Sequence, residues 1–187
     1  MPLLTKFIAN QRYAMIAPHI RGDVLELGCG NAQVLAEHAD KLTSYSGVER
    51  SPKQIEKLKG LYPDSTFYQR DLDKDQLNID RQFDCILMIA LIEHLFNQQF
   101  VMDQVAKLLK PGGVIVITTP TPIGNDFVHR LGASVGLFSK MAVDDHIVLY
   151  NRHRFRILVD EVGLKLKSHR YFQLMCNQLA VLERPAT

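Results

Sequence analysis

The 187 residues, 47% of them apolar, suffice to bury a core and read as a single domain over 1–187, which leaves no length for a separate recognition module. The 22 basic and 20 acidic residues give a formal charge of +2 with no block of like charge, so a strong nucleic-acid footprint is excluded. Cys29, Cys85 and Cys176 are odd in number, far apart and free of any C-x-x-C, which argues against a disulfide framework or a zinc site and sets a cytoplasmic expectation. The first nine residues lack the apolar core of a signal peptide, and no run approaches the roughly 18 to 20 apolar residues of a membrane-spanning helix.

Ile8, Met15, Ile16 and Ile20, with Tyr13 between them, fall at helical spacing and predict a leading helix over 4–20, broken at Arg21-Gly22-Asp23. Val24-Leu25-Glu26-Leu27 then runs into Gly28-Cys29-Gly30-Asn31-Ala32, the pattern of a buried strand, a tight turn and a helix capped by Asn31 that continues to about Ala39. Glycines there let the chain turn and let a ligand approach bare main chain beside the free N–H groups of a helix start. Glu26 stands inside the strand, where an ionised carboxylate is seldom buried without a partner. A nicotinamide fingerprint would place glycine or alanine at the sixth position of this loop, and Gln33 is there instead.

Ser44 to Glu49 forms a second predicted strand. Ser51-Pro52-Lys53-Gln54 follows as a capping serine, a proline at the first helical position and a glutamine three residues after the cap. Glu49 therefore sits at the carboxyl end of its strand, about 20 residues past the glycine loop, where a carboxylate can accept two hydrogen bonds from a ribose diol. Thr66 to Arg70 is a third strand ending at Asp71, and the nearly continuous apolar run Phe83 to Leu91 is a central parallel strand. A helix marked by Val101, Val105, Leu108 and Leu109 leads to a sharp turn at Lys110-Pro111-Gly112-Gly113 and a β-branched strand, Val114 to Thr119. Strands separated by helices predict an α/β, doubly wound parallel sheet.

Residues 120–149 form an insertion rich in apolar side chains, read as a partly helical lid. Core packing, peripheral membrane contact through 127–141 and a homodimer surface stand as equal alternatives for it. Tyr150, Phe155, Leu158, Val159 and Val162 then mark a helix up to Gly163, and Leu164 to Arg170 with Met175 to Glu183 read as a closing antiparallel pair.

The Glu26-x-Gly28-x-Gly30 run resembles the first motif of class I S-adenosylmethionine-dependent methyltransferases, with Ala32 where a third glycine is usual. Ile92-Glu93-His94-Leu95 is similar to a Leu-Glu-His-Leu segment of small-molecule members, Leu109 to Gly113 to their Leu-Lys-Pro-Gly-Gly turn, and His146 to Tyr150 to a His-x-x-x-Tyr segment. The resemblance spans roughly Ile16 to Pro120 and, more loosely, Asp144 to Glu183. It implies a Rossmann-like seven-stranded, mostly parallel sheet of order 3-2-1-4-5-7-6 with the last strand antiparallel, and S-adenosylmethionine as cofactor. It further implies that Glu26 faces the amino group of the cofactor's methionine end, that Gly28, Cys29 and Gly30 form its loop, and that Asp71 meets the adenine amino group while Leu72 packs on the base. Glu49, Arg50, Ile89 and, from the leading helix, Arg12 complete the cofactor set, with Arg12 and Tyr13 both candidates for cofactor or substrate contact.

Met88-Ile89-Ala90 stands where methyltransferases of adenine, cytosine or glutamine resemble one another in an Asn- or Asp-Pro-Pro-Tyr segment, and the paired glutamates of arginine methyltransferases and clustered magnesium ligands are missing, so no metal is assigned. What remains is O- or C-methylation of a small-molecule, lipid-precursor or sugar acceptor, with His146 or His94 as the general base. A cofactor-binding but non-catalytic subunit that scaffolds or activates a partner is the main alternative. A nicotinamide oxidoreductase ranks behind it, for want of a Tyr-x-x-x-Lys pair.

Overall fold

Seven strands build one sheet in the computed structural model, which describes residues 3–124 and 147–186. They are β1 (Gly22–Leu27), β2 (Leu42–Glu49), β3 (Thr66–Gln69), β4 (Phe83–Ile89), β5 (Leu109–Pro120), β6 (Lys165–Phe172) and β7 (Asn177–Glu183), in the spatial order β3-β2-β1-β4-β5-β7-β6. The first five run parallel, and β7 lies antiparallel between β5 and β6. This is the order the resemblance implied.

Alternation along the strands divides the core between the two faces of the sheet. Leu25, Leu27, Ile86, Met88, Ile115 and Ile117 meet α4 (Gln98–Lys107) and α5 (Arg152–Glu161) through Val101, Met102, Phe155 and Leu158. Val24, Cys85, Leu87, Val114 and Val116 face the other way, against Ile16 of α1 (Leu3–Ile16), Val34 of α2 (Gln33–His38) and Ile55 with Leu58 of α3 (Pro52–Leu61). Among the described residues three helices begin on side-chain caps, since Ser51, Asn97 and Asn151 accept from the backbone N–H of Gln54, Phe100 and Arg154.

Several boundaries differ from those read in the sequence. The leading helix stops at Ile16 and a 3-10 turn, Ala17–His19, carries the chain to β1, because Pro18 offers no N–H to continue the α-helical ladder. Asn31 does not cap α2. Ala32 takes the left-handed conformation (φ 53°) and donates to Cys29 O at 2.7 Å, which delays the helix to Gln33 and leaves Asn31 Oδ1 to accept from Gln54 Nε2 of α3 at 3.0 Å. β4 ends at Ile89 because Ala90 is left-handed, and the Lys110-to-Gly113 turn lies within β5 as a bulge, Phe83–Cys85 opposing Leu109–Val114. Gly113 fits there because a Cβ would lie 2.9 Å from Lys110 O and 3.0 Å from Phe83 O.

Of the predicted insertion, residues 125–146 lie outside the described residues, and with them His146 and the surface proposed for lipid or subunit contact. Both stems are held. The buried Gln178 on β7 donates to Pro120 O (3.1 Å) and Tyr150 O (2.7 Å), and Ile147 N donates to Glu93 O (2.8 Å). No helix among the described residues is long and apolar enough to cross a membrane.

At the amino ends of the strands Lys110 Nζ lies 2.7 Å from both Asp23 Oδ2 and Asp84 Oδ2, and Arg81 Nη2 3.1 Å from Asp23 Oδ1. The Lys110 bond holds the Asp23 carboxyl below its ordinary range; at Asp84 burial pushes upward, and the bonds from Lys110 and Asp23 N outweigh it. Both folded values are depressed, so the stability these groups contribute is present above the unfolded value of about 3.9 and is lost as pH falls through the folded values. In Lys110→Met the unfolding temperature should fall relative to wild type at pH 7, with the gap closing below about pH 4. A gap that stays constant from pH 7 to 3 in thermal melts would show that the triad does not contribute in this way.

Candidate functional site

The carboxyl ends of β1, β2, β3 and β4 surround a cleft of ≈ 700 Å³, the position at which open α/β sheets bind ligands. Its floor is the loop after β1. Gly28 turns with φ 65°, and a Cβ on it would lie 2.9 Å from Leu91 Cδ1, so glycine keeps the cleft open at this point. Cys29 N donates to Val48 O at 3.0 Å and fastens the loop to β2.

Glu49 closes one side. Its carboxylate accepts from Gly30 N at 3.3 Å through Oε2 and from Ser51 N at 3.0 Å through Oε1, so one side chain links the glycine loop to the start of α3 while still lining the cleft. Arg50 lines the cleft beside it. Asp71 and Leu72, past the end of the neighbouring β3, also line the cleft. Asp71 Oδ1 accepts from Asp73 N (3.2 Å), Oδ2 lies 3.1 Å from Lys74 Nζ, and these two contacts lower its pKa. Asp73 in turn accepts from Phe96 N (2.8 Å) and Asn97 N (2.9 Å), tying the loop after β3 to the one after β4. His94 ends the short 3-10 helix Ile92–His94 and lines the cleft next to Leu95 and the exposed ring of Phe96.

Gly28, Glu49, Arg50, Asp71, Leu72 and His94 thus meet in one cleft, whereas Glu26, Cys29, Gly30, Ile89 and Arg12 are not among its lining residues. Glu26 is 3% exposed on β1, and Tyr45 Oη donates to its Oε2 at 2.6 Å. Burial pushes the Glu26 carboxyl up to about 8, with the Tyr45 bond pulling the other way. Cys29 contributes only backbone to the loop. Its thiol is buried towards Gly47, and burial, with the charges of Glu26 and Glu49, raises its pKa to about 12. Gly30 serves through its N–H to Glu49, and Ile89, partly buried at the end of β4, packs against the core. Arg12 reaches across to β7, where Nε and Nη2 donate to Asn177 Oδ1 at 3.2 and 2.9 Å; burial lowers its pKa against the opposing charge of Glu93.

Tyr45, Asp73 and Phe96 were not read from the sequence. Asp73 had a usable signal in the Asp71-Leu72-Asp73 spacing, but the Tyr45 contact depends on the register of two parallel strands, which no local pattern reveals.

The methyltransferase domain family matches residues 6–169, most of the chain. The chain belongs to this family. The chain is 28% identical over 102 residues to a ubiquinone biosynthesis O-methyltransferase of Rhizobium leguminosarum, a match covering 51% of this chain and 39% of that enzyme. The matches span about two fifths of the length of the curated relatives. Among solved structures, a chain of the complex formed by the Haloferax volcanii Trm112 methyltransferase activator superposes with a TM-score of 0.70 at 15% identity, covering 99% of each chain. The N-methyltransferase NodS of Bradyrhizobium japonicum in complex with S-adenosyl-L-homocysteine gives 0.66 at 14% identity, covering 98% of this chain and 89% of that one. These structures share the class I fold.

S-adenosylmethionine is the cofactor of this class, and the residues present fit it. The buried Glu26 carboxyl forms no ion pair with a basic side chain among the described residues and suits an ammonium group. Glu49 suits a ribose diol, and the bare Gly28 leaves room for close approach of a ligand.

Proposed function

We propose that the protein transfers a methyl group from S-adenosylmethionine to an oxygen or carbon atom of a small-molecule, lipid-precursor or sugar acceptor. The observation that carries this reading is the cleft that brings Gly28, Glu49, Asp71 and Leu72 together with His94 at the carboxyl ends of the parallel strands. Bound there, S-adenosylmethionine supplies a methyl group already activated on a positively charged sulfur. The chain's part is then to hold and to orient. Glu49 accepts from the ribose hydroxyls without releasing the loop, Asp71 accepts from the adenine amino group, Leu72 packs on the base, and Glu26 takes the ammonium group. Arg50 adds to the cofactor set from the cleft wall; Arg12 and Ile89 act from behind it. Alignment of the acceptor with the sulfur–methyl axis accounts for most of the rate gain.

A hydroxyl acceptor loses its proton as the new bond forms, and His94, which lines the cleft, or His146 takes it. The Rhizobium leguminosarum relative, named as an O-methyltransferase, supports oxygen as the accepting atom. A second reading is favoured by the Haloferax volcanii fold neighbour, which comes from a complex with a methyltransferase activator: this chain would bind cofactor and work with, or on, a protein partner.

Incubating the protein with methyl-labelled S-adenosylmethionine and a small-molecule cell extract separates the two. Label should pass into low-molecular-weight products in wild type. His146→Ala should keep S-adenosylhomocysteine affinity within about twofold and lose turnover if His146 is the base, with the loss passing to His94→Ala if that residue is; full turnover in both variants would remove both from the role. Cofactor binding by wild type with no label transferred would favour the partner-dependent subunit.

A further inference from the structure

Glu26 carries an unusual burden. It is a carboxyl on a central strand, 3% exposed, and its Oε1 accepts no hydrogen bond from the described residues. Among the described residues its one side-chain hydrogen-bond partner is Tyr45 Oη at 2.6 Å. Tyr45 is itself buried on β2, in register with Val24, two positions before Glu26 and so on the same face of the sheet. The register partner of Glu26 is Gly47, where a Cβ would meet Cys29 Sγ at 2.7 Å and Phe67 Cδ1 at 3.0 Å. With no side chain at Gly47, the Cys29 thiol and the Phe67 ring pack over that position, and the tilted Phe67 ring, 6.1 Å away between centroids, lies beside Tyr45.

We propose that Tyr45 is a positioning residue of the cofactor site: its hydroxyl holds one oxygen of Glu26 so that the other is presented to the ammonium group of the cofactor's methionine portion. The inference rests on the S-adenosylmethionine reading of the cleft and adds to it a residue and a pH dependence. A buried carboxyl with a single neutral hydrogen-bond donor lacks a cation, and of the cofactor's two cationic groups, the methyl-bearing sulfonium and the ammonium, the ammonium is the one that can donate hydrogen bonds to a carboxylate.

The neighbours leave Glu26 as the titrating group. Tyr13 of α1 and Cys29 of the loop are both pushed up to about 12, chiefly by burial, and Tyr45 lies well above its ordinary value; Glu37 of α2 and Glu49 of β2 add negative charge. On the β4 side the register partner is the apolar Leu87. Burial keeps the proton on Glu26 up to about pH 8 in the free protein, and the carboxyl must give it up to pair with an ammonium. Affinity for S-adenosylhomocysteine should therefore rise by about tenfold per pH unit from about pH 6 towards 8 and then level.

The test is calorimetric titration of wild type, Tyr45→Phe and Glu26→Gln with S-adenosylhomocysteine and with methylthioadenosine, which keeps the nucleoside and lacks the ammonium, at several pH values from 6 to 8.5. Tyr45→Phe should weaken S-adenosylhomocysteine at pH 7 by about tenfold or more and move its rising limb to higher pH, since the bond that lowers the Glu26 pKa is gone. Glu26→Gln should abolish the pH dependence, and methylthioadenosine should bind all three alike at every pH. Thermal melts confirm that each variant is folded. Equal loss for both ligands in Tyr45→Phe, or no loss for either, would overturn the role of Tyr45 while leaving the cofactor reading intact. Failure of wild type to bind either ligand at any pH would overturn the cofactor reading itself.

Discussion

Replacing Glu49 with alanine is expected to weaken S-adenosylhomocysteine binding by about 3 kcal/mol, more than a hundredfold in Kd. The size follows from two charge-assisted hydrogen bonds to the ribose hydroxyls, each contributing about 1.5 to 3 kcal/mol, taken at the lower end because the cleft opens to water. A further loss comes through the protein. Glu49 also accepts from Gly30 N and Ser51 N, so its removal leaves two backbone donors unpaired where the glycine loop meets the start of α3. Glu49→Gln keeps an acceptor oxygen and should fall between wild type and alanine. Calorimetry measures both, and an unchanged affinity in the alanine variant would remove Glu49 from the site.

The second large effect is on stability. Phe155 is fully buried on α5, stacks on Tyr150 with centroids 4.7 Å apart and lies 5.9 Å from His169 on β6, so it joins the helix, the returning stem of the insertion and the closing hairpin. Phe155→Ala removes that filling and leaves a cavity, at a cost of about 3–5 kcal/mol. Against the roughly 5–15 kcal/mol that a domain of this kind has in total, the loss is large. Urea unfolding should show a markedly lower midpoint with the slope preserved. Because the cleft lies over β1 to β4, the protein that remains folded should bind S-adenosylhomocysteine with affinity near wild type. A midpoint within 0.5 kcal/mol equivalent of wild type would mean that the packing there relaxes around the gap.

Much of the cleft wall was legible because the information is local. A glycine loop, an acidic residue just before a serine-capped helix and an acidic residue at a strand end mark Gly28, Glu49 and Asp71 from short stretches of chain, and these residues meet in the cleft. What stayed hidden depends on distant partners. Arg12 reads as a cofactor contact by its place on the leading helix, yet its guanidinium bonds Asn177, 165 positions away on the last strand. The Lys-Pro-Gly-Gly turn becomes a bulge within β5 because Gly112 N finds Arg184 O on the chain's closing segment. The Asn31 cap fails through the left-handed Ala32, a backbone choice that alanine does not advertise. Tyr45 was invisible for the same reason, since only parallel pairing of β1 and β2 sets it beside Glu26.

The most direct test of the account is side-by-side calorimetric titration of the purified protein with S-adenosylmethionine, S-adenosylhomocysteine and NADH. Saturable one-to-one binding of the first two with no heat from NADH is the predicted result. NADH binding, or silence from all three, would contradict the assignment of the cleft between Gly28, Glu49 and Asp71 to S-adenosylmethionine.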